Sequence, residues 1–367
     1  LKKKKVGKNA NFSLKIYEFL AICYNYMKDE VNIMEKEKLE QYKNWMCNLS
    51  FFNDHSFIID NIENLWKLTN YIGFSFSKYI DDKYKVELDY SSINLDETIN
   101  LAQDFFTNHN FNVNIKQMIE DKILILNKNV NKETNSYYGT NQDGISGYDE
   151  NHNKIVTINL EETIYDSIII IHELMHYLNQ PLDKRSEVSD LLTEAISYGA
   201  ELIFCEDLKS KKYNQDRELH FKCLEKFTYS YSYNIYYIYK IIYLYKLKGD
   251  ITEEKYNELY NDDQYLNTMQ KYEEYVGRRG SIFHDTWYMI GLPLAIYLLE
   301  EYRKNSDNIK YIHLLNENIN NKSLEECLNM IDINSIDVFK EKIQNSVESF
   351  KKLLDDIYLK VDIPRKK

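Results

Sequence analysis

The run from Asp166 to Leu178, Asp-Ser-Ile-Ile-Ile-Ile-His-Glu-Leu-Met-His-Tyr-Leu, constrains this chain more than any other stretch. Its apolar residues make a helix face, and Thr163 or Asp166 stands where an N-cap belongs. On a helix, residues four apart share a face, so His172 and His176 can aim two imidazoles at one ion. Glu173 lies beside them on the helix surface, close enough to take a proton from a water held by that ion. Two histidines at this spacing are by themselves an ordinary helix feature. The acid between them and the helical frame turn His172-Glu173-x-x-His176 into a zinc-binding pattern.

The rest of the chain suits a mainly α fold. Only 3 Pro and 10 Gly among 367 residues leave few places to turn, which favours long helices. Helical periodicity runs from Phe12 to about Ile80, and Asp81-Asp82-Lys83 breaks it. Asn94 caps a helix reaching about Thr107, and another is expected from Ile115 to Leu126. The glycine-bearing stretch 131–153, with Gly139, Gly144 and Gly147, reads as hairpin or loop. Lys154 to Leu160 alternates as a half-buried strand does, giving a small β-sheet beside the His-Glu-x-x-His helix. Such a strand can pair with an extended peptide, or be an ordinary member of a sheet. Further helices are expected from about Glu187 to Asp207, onward to about Tyr245, and from Phe283 to Arg303. Three regions follow: an N-terminal helical region 1–80, a catalytic domain 81–303, and a C-terminal helical extension 304–367.

A formal net charge of -12 disfavours nucleic acid and anionic membranes as partners. The apolar run Ile235 to Leu247 carries Lys240 and Lys246 and many tyrosines, so it reads as a buried helix, with no membrane insertion expected. Five scattered cysteines without C-x-x-C spacing suggest reduced thiols and a cytoplasmic setting. The basic N-terminal start lacks a signal-peptide pattern.

Two histidines leave zinc short of the three protein ligands that a catalytic site has. Glu194 is the best third candidate. It lies 18 residues beyond His176, room for one helix to end and a second to pack back. Glu187 leaves little room for that turn. Glu201 shares the helix face of Glu194 and is either the fallback ligand or a partner that holds a ligand. Ser197, one turn beyond Glu194, can hydrogen-bond the free nitrogen of a ligand His and fix its tautomer. His55, His109, His152, His220 and His313 lie outside any ligand spacing and are assigned no role.

With Glu194 and Ser197 following His-Glu-x-x-His, the chain resembles the gluzincin metallopeptidases of the thimet oligopeptidase and oligoendopeptidase F family, in a short form. Upstream, Gly147-Tyr148, Ile158-Asn-Leu160, Thr163 and Asp166 follow the order of that family's loop, substrate-edge strand and active helix. Downstream, His284-Asp-Thr-Trp-Tyr288-Met-Ile-Gly291-Leu-Pro-Leu-Ala295 resembles its C-terminal helix, where tyrosines and a histidine line the cleft. Met175 stands where the family usually has Gly, and the family's members are generally much longer.

The resemblance implies a zinc metalloendopeptidase acting on peptides or unfolded polypeptides, with one Zn2+ per chain on His172, His176 and Glu194. The ion would lower the pKa of its water, and Glu173 would take the proton and pass it to the leaving amine. Tyr288 or His284 would donate to the oxyanion. Arg278 and Arg279 are more simply solvated loop charges than carboxylate binders. Two other readings stand beside this one: a narrow-specificity protease of toxin or peptide-maturation type, and a degenerate gluzincin that only binds peptide or protein. Retention of Glu173 speaks against the last, because a structural zinc site has no need of that carboxylate.

Overall fold

In a computed structural model, the described residues are 56–77, 90–128, 144–179, 187–225, 228 and 284–361. The chain divides into two compact units, Leu1–Ile59 with Lys240–Gly280 and Asp60–Tyr239 with Ser281–Lys367. The site lies in the second. Helix accounts for 74% of the described residues and a three-stranded sheet supplies the β content, so the fold is mainly α with a small sheet.

The helices are α1 (Ser56–Phe76), α2 (Leu95–Asn108), α3 (Ile115–Glu120), α4 (Ile164–Asn179), α5 (Glu187–Asp207), α6 (214–225), α7 (His284–Lys304), α8 (Lys310–Asn318), α9 (Leu324–Met330) and α10 (Ile336–Val361). The strands are β1 (Leu124–Asn127), β2 (Gly144–Tyr148) and β3 (Lys154–Asn159). Among the described residues no helix is long and apolar enough to cross a membrane. The expected helices near 12–55 and between 229 and 283 lie outside the described residues.

Local chemistry sets several of these boundaries. Asn94 caps α2 as its sequence suggests, its side chain accepting from the Glu97 backbone N–H at 2.9 Å. The helix expected from Ile115 to Leu126 ends at Glu120 instead. Lys122 takes a left-handed conformation with φ 58°, and the chain leaves it as β1. Ile123 to Leu126 is a short apolar run that suits helix or buried strand equally, and pairing with β3 decides for strand. Residues 144–159 form a hairpin around the turn at Asp149, whose carboxylate accepts from the backbone N–H groups of Asn151 and Asn153.

Strand order is β1-β3-β2, with β1 parallel and β2 antiparallel to β3. The strand foreseen at 154–160 is therefore central and paired on both sides. It has no free edge for a peptide, so it is an ordinary sheet member. Among the described residues the outer edge beside α4 belongs to β2. Neither expected N-cap side chain caps an N–H within α4 itself. The Thr163 hydroxyl is buried without a partner, while Asp166 reaches back to the N–H groups of Glu161 and Glu162, both at 2.9 Å. Glu162, at φ 57°, turns the chain from β3 into α4.

Every residue from Ile290 to Glu300 is buried, so this stretch of α7 is enclosed all round. It packs against α5 and α10. Gly291 permits the α5 approach: a Cβ there would lie 2.8 Å from Glu194 Cβ and 3.1 Å from the Ala195 backbone nitrogen. Gly291→Ala must therefore push α7 away from α5 at Glu194. We expect a loss of about 1–3 kcal/mol in denaturant unfolding, the usual cost of overpacking, together with weaker metal uptake. Parental stability would show that the two helices can separate there freely.

Candidate metal centre

Helices α4 and α5 pack face to face and bring three side chains together. His172 Nε2 and His176 Nε2 stand 3.0 Å apart, as helical spacing predicts for imidazoles aimed at one point. Glu194 Oε2 lies 3.9 Å from the first and 3.7 Å from the second. Ligands 2.0–2.1 Å from a tetrahedral ion are roughly 3.3 Å apart, so a small adjustment fits this triangle to one. Two imidazole nitrogens and a carboxylate oxygen, largely screened from solvent, can hold a metal ion.

Glu201 is not a ligand. Its Oε2 lies 2.8 Å from His172 Nδ1, on the side of the ring away from the triad, and its Oε1 lies 2.6 Å from His220 Nε2. That corrects two expectations. Glu201, rather than Ser197, holds the free nitrogen of His172; the Ser197 hydroxyl is fully buried and has no hydrogen-bond partner. And His220, given no role from its spacing, closes on the site through Glu201. Glu187 begins α5, but its side chain lies outside the described residues, as do those of His284, Tyr288, Arg278 and Arg279. Tyr198, one turn beyond Glu194, packs its ring edge-to-face on His172 at 4.6 Å between centroids.

Electrostatics follow from burial. Glu173 is pushed up to about 7, first by desolvation; the charge of Glu194 adds to this, while His172 and the Ser146 backbone N–H counter it. A carboxyl so poised exchanges a proton near neutral pH. In the coupled pair, burial opposes charge on His172, but the hydrogen bond and charge of Glu201 raise its pKa. Burial likewise opposes charge on Glu201, and His220 and His172 outweigh it, holding the carboxylate low.

Strand β2 completes the surroundings of Glu173. Besides the Ser146 bond, a Cβ at Gly144 would come within 2.7 Å of Glu173 Cγ and 2.8 Å of Ile169 Cγ2. Glycine at 144 thus lets the strand lie directly on the acid, a role that its place in a glycine-bearing stretch did not disclose.

Compared with protein-family models, curated proteins and solved structures, the chain gives no significant match.

Proposed function

We propose that this chain is a zinc-dependent metallopeptidase of the gluzincin type, similar in its site to the oligopeptidase family named above. The observation that carries the reading is the placement of Glu173. It adjoins the His172–His176–Glu194 triad, is half-buried, and is bonded by the backbone of the sheet's edge strand. A site that only stores a metal gains nothing from an acid held in that position.

Zinc, when bound by His172, His176 and Glu194, supplies a Lewis acid that activates water and polarises the scissile carbonyl. The chain's own groups do the rest. Glu173 accepts the proton of the attacking water at a carboxylate oxygen and returns it to the departing amine nitrogen, the work of a general base and then a general acid. The Ser146 N–H and the β2 backbone at Gly144 hold that carboxylate in place. Among the described residues β2 is the outer strand of the sheet on the side of α4, and an extended peptide lying along it would pass Glu173.

The test is digestion of a mixed peptide library by the purified, zinc-loaded chain, with products read by mass spectrometry. Newly formed amino and carboxyl termini that disappear on chelation are expected. Intact peptides at every zinc occupancy would leave a metal-binding module and remove the peptidase.

A further inference from the structure

Beyond the triad, a line of four buried side chains leads away from the metal position. His172 Nδ1 meets Glu201 Oε2 at 2.8 Å, Glu201 Oε1 meets His220 Nε2 at 2.6 Å, and His220 Nδ1 meets the Tyr90 hydroxyl at 3.1 Å. These residues come from α4, α5, α6 and the segment before α2, so the line ties together four separate parts of the unit. Exposure is 8% for His172, 3% for Glu201, 5% for His220 and 9% for Tyr90, too little for water to replace a missing partner. The Tyr90 ring is itself fixed, stacked on Tyr165 of α4 at 5.1 Å.

Donor and acceptor accounting gives this line a direction. The Tyr90 hydroxyl has one proton and two nearby acceptors, His220 Nδ1 at 3.1 Å and the Cys223 sulfur at 3.8 Å. Nitrogen is the stronger acceptor and the nearer, so Tyr90 donates to His220 Nδ1. His220 then carries its proton on Nε2 and donates to Glu201 Oε1. The second oxygen of Glu201 accepts from His172 Nδ1–H, which leaves the His172 Nε2 lone pair facing His176 and Glu194. One tautomer of each ring satisfies every bond.

We infer that His220, backed by Tyr90, is a positioning residue for the metal: through Glu201 it fixes His172 in the orientation and tautomer that present Nε2 to the ion. This rests on the metal-centre reading and adds a residue that touches neither metal nor substrate. Glu201 held only by His172 could swing; held from both sides, it cannot. Outer partners of metal-bound histidines typically change metal affinity by about 10–100-fold when removed.

The experiment measures zinc affinity of the full chain by competition with a chromophoric chelator, in the parent, His220→Leu, His220→Gln and His176→Ala. Leucine removes the donor one bond further out than a direct partner of the ligand, and we expect affinity to fall by about tenfold, the lower end of that range. Glutamine places an amide N–H near the position of Nε2 and should recover most of that loss, which a purely space-filling role would not show. Equal affinity in parent and His220→Leu overturns the inference, as does a glutamine variant no better than leucine. The metal reading fails separately, when His176→Ala binds zinc as the parent does, and the inference fails with it. Should the leucine variant not fold, ring-nitrogen NMR of the zinc-loaded parent carries the test. His220 protonated on Nε2 alone is expected, and a proton on Nδ1 overturns the proposal.

Discussion

Glu173→Gln is expected to abolish peptide cleavage while leaving metal uptake and fold intact. Glutamine keeps the shape of the side chain and can still accept the Ser146 N–H bond, and it is not among the three ligand groups. What it cannot do is take a proton from water. General acid–base groups contribute about 10²–10⁴-fold, and a group serving both halves of one hydrolysis should sit at the top of that range. Stability should not fall, because burial already favours the uncharged form of this acid. The measurement is the single-turnover rate on a quenched peptide at saturating enzyme, beside zinc content. A glutamine variant as fast as the parent would remove Glu173 from the mechanism.

The second large effect is on the metal. Glu194→Ala and His176→Ala each delete one of three donors that converge within 4.8 Å. Structural zinc sites with four ligands bind with about 10–16 kcal/mol, or roughly 3 kcal/mol per ligand. Losing one should weaken zinc by more than about a hundredfold. Helix content should hardly change, since α5 is anchored by apolar neighbours of Glu194, among them Leu191, Leu192, Ala195 and Ile196, all fully buried. Circular dichroism beside chelator competition separates the two effects. Full zinc retention in Glu194→Ala would mean that another oxygen, from Glu187 for instance, completes the site.

Much of this arrangement was legible in the sequence because helical periodicity is local. The spans of α4, α5 and α7, and the meeting of His172 with His176, follow from spacing along single helices. Glu194 needed only the further assumption that the next helix folds back. Sheet order was not legible. Alternation marks 154–159 as a strand but says nothing of which neighbours it takes, so edge and central places stayed equally open until the pairing was seen. The apolar run at β1 had no feature to separate helix from strand.

His220 was invisible for a different reason. Its partner Glu201 is 19 residues away and is reached by a turn of the chain. The only signal was indirect: on α6 the buried face that includes Phe221 and Leu224 also carries Asp216, Arg217 and His220. Charged and polar residues on a face that periodicity assigns to the core require partners, and that requirement points inward. Ser197 shows the reverse error. Its spacing from Glu194 suited a bond to a ligand histidine, but Glu201 already occupies the nitrogen in question.

The most direct test of the account is to strip the chain of metal and titrate zinc back while following peptide cleavage. The account predicts no cleavage at the start, activity rising in proportion to zinc, and saturation at one zinc per chain, with no such rise in His176→Ala. Cleavage by the stripped chain, or none at full zinc occupancy, would contradict it.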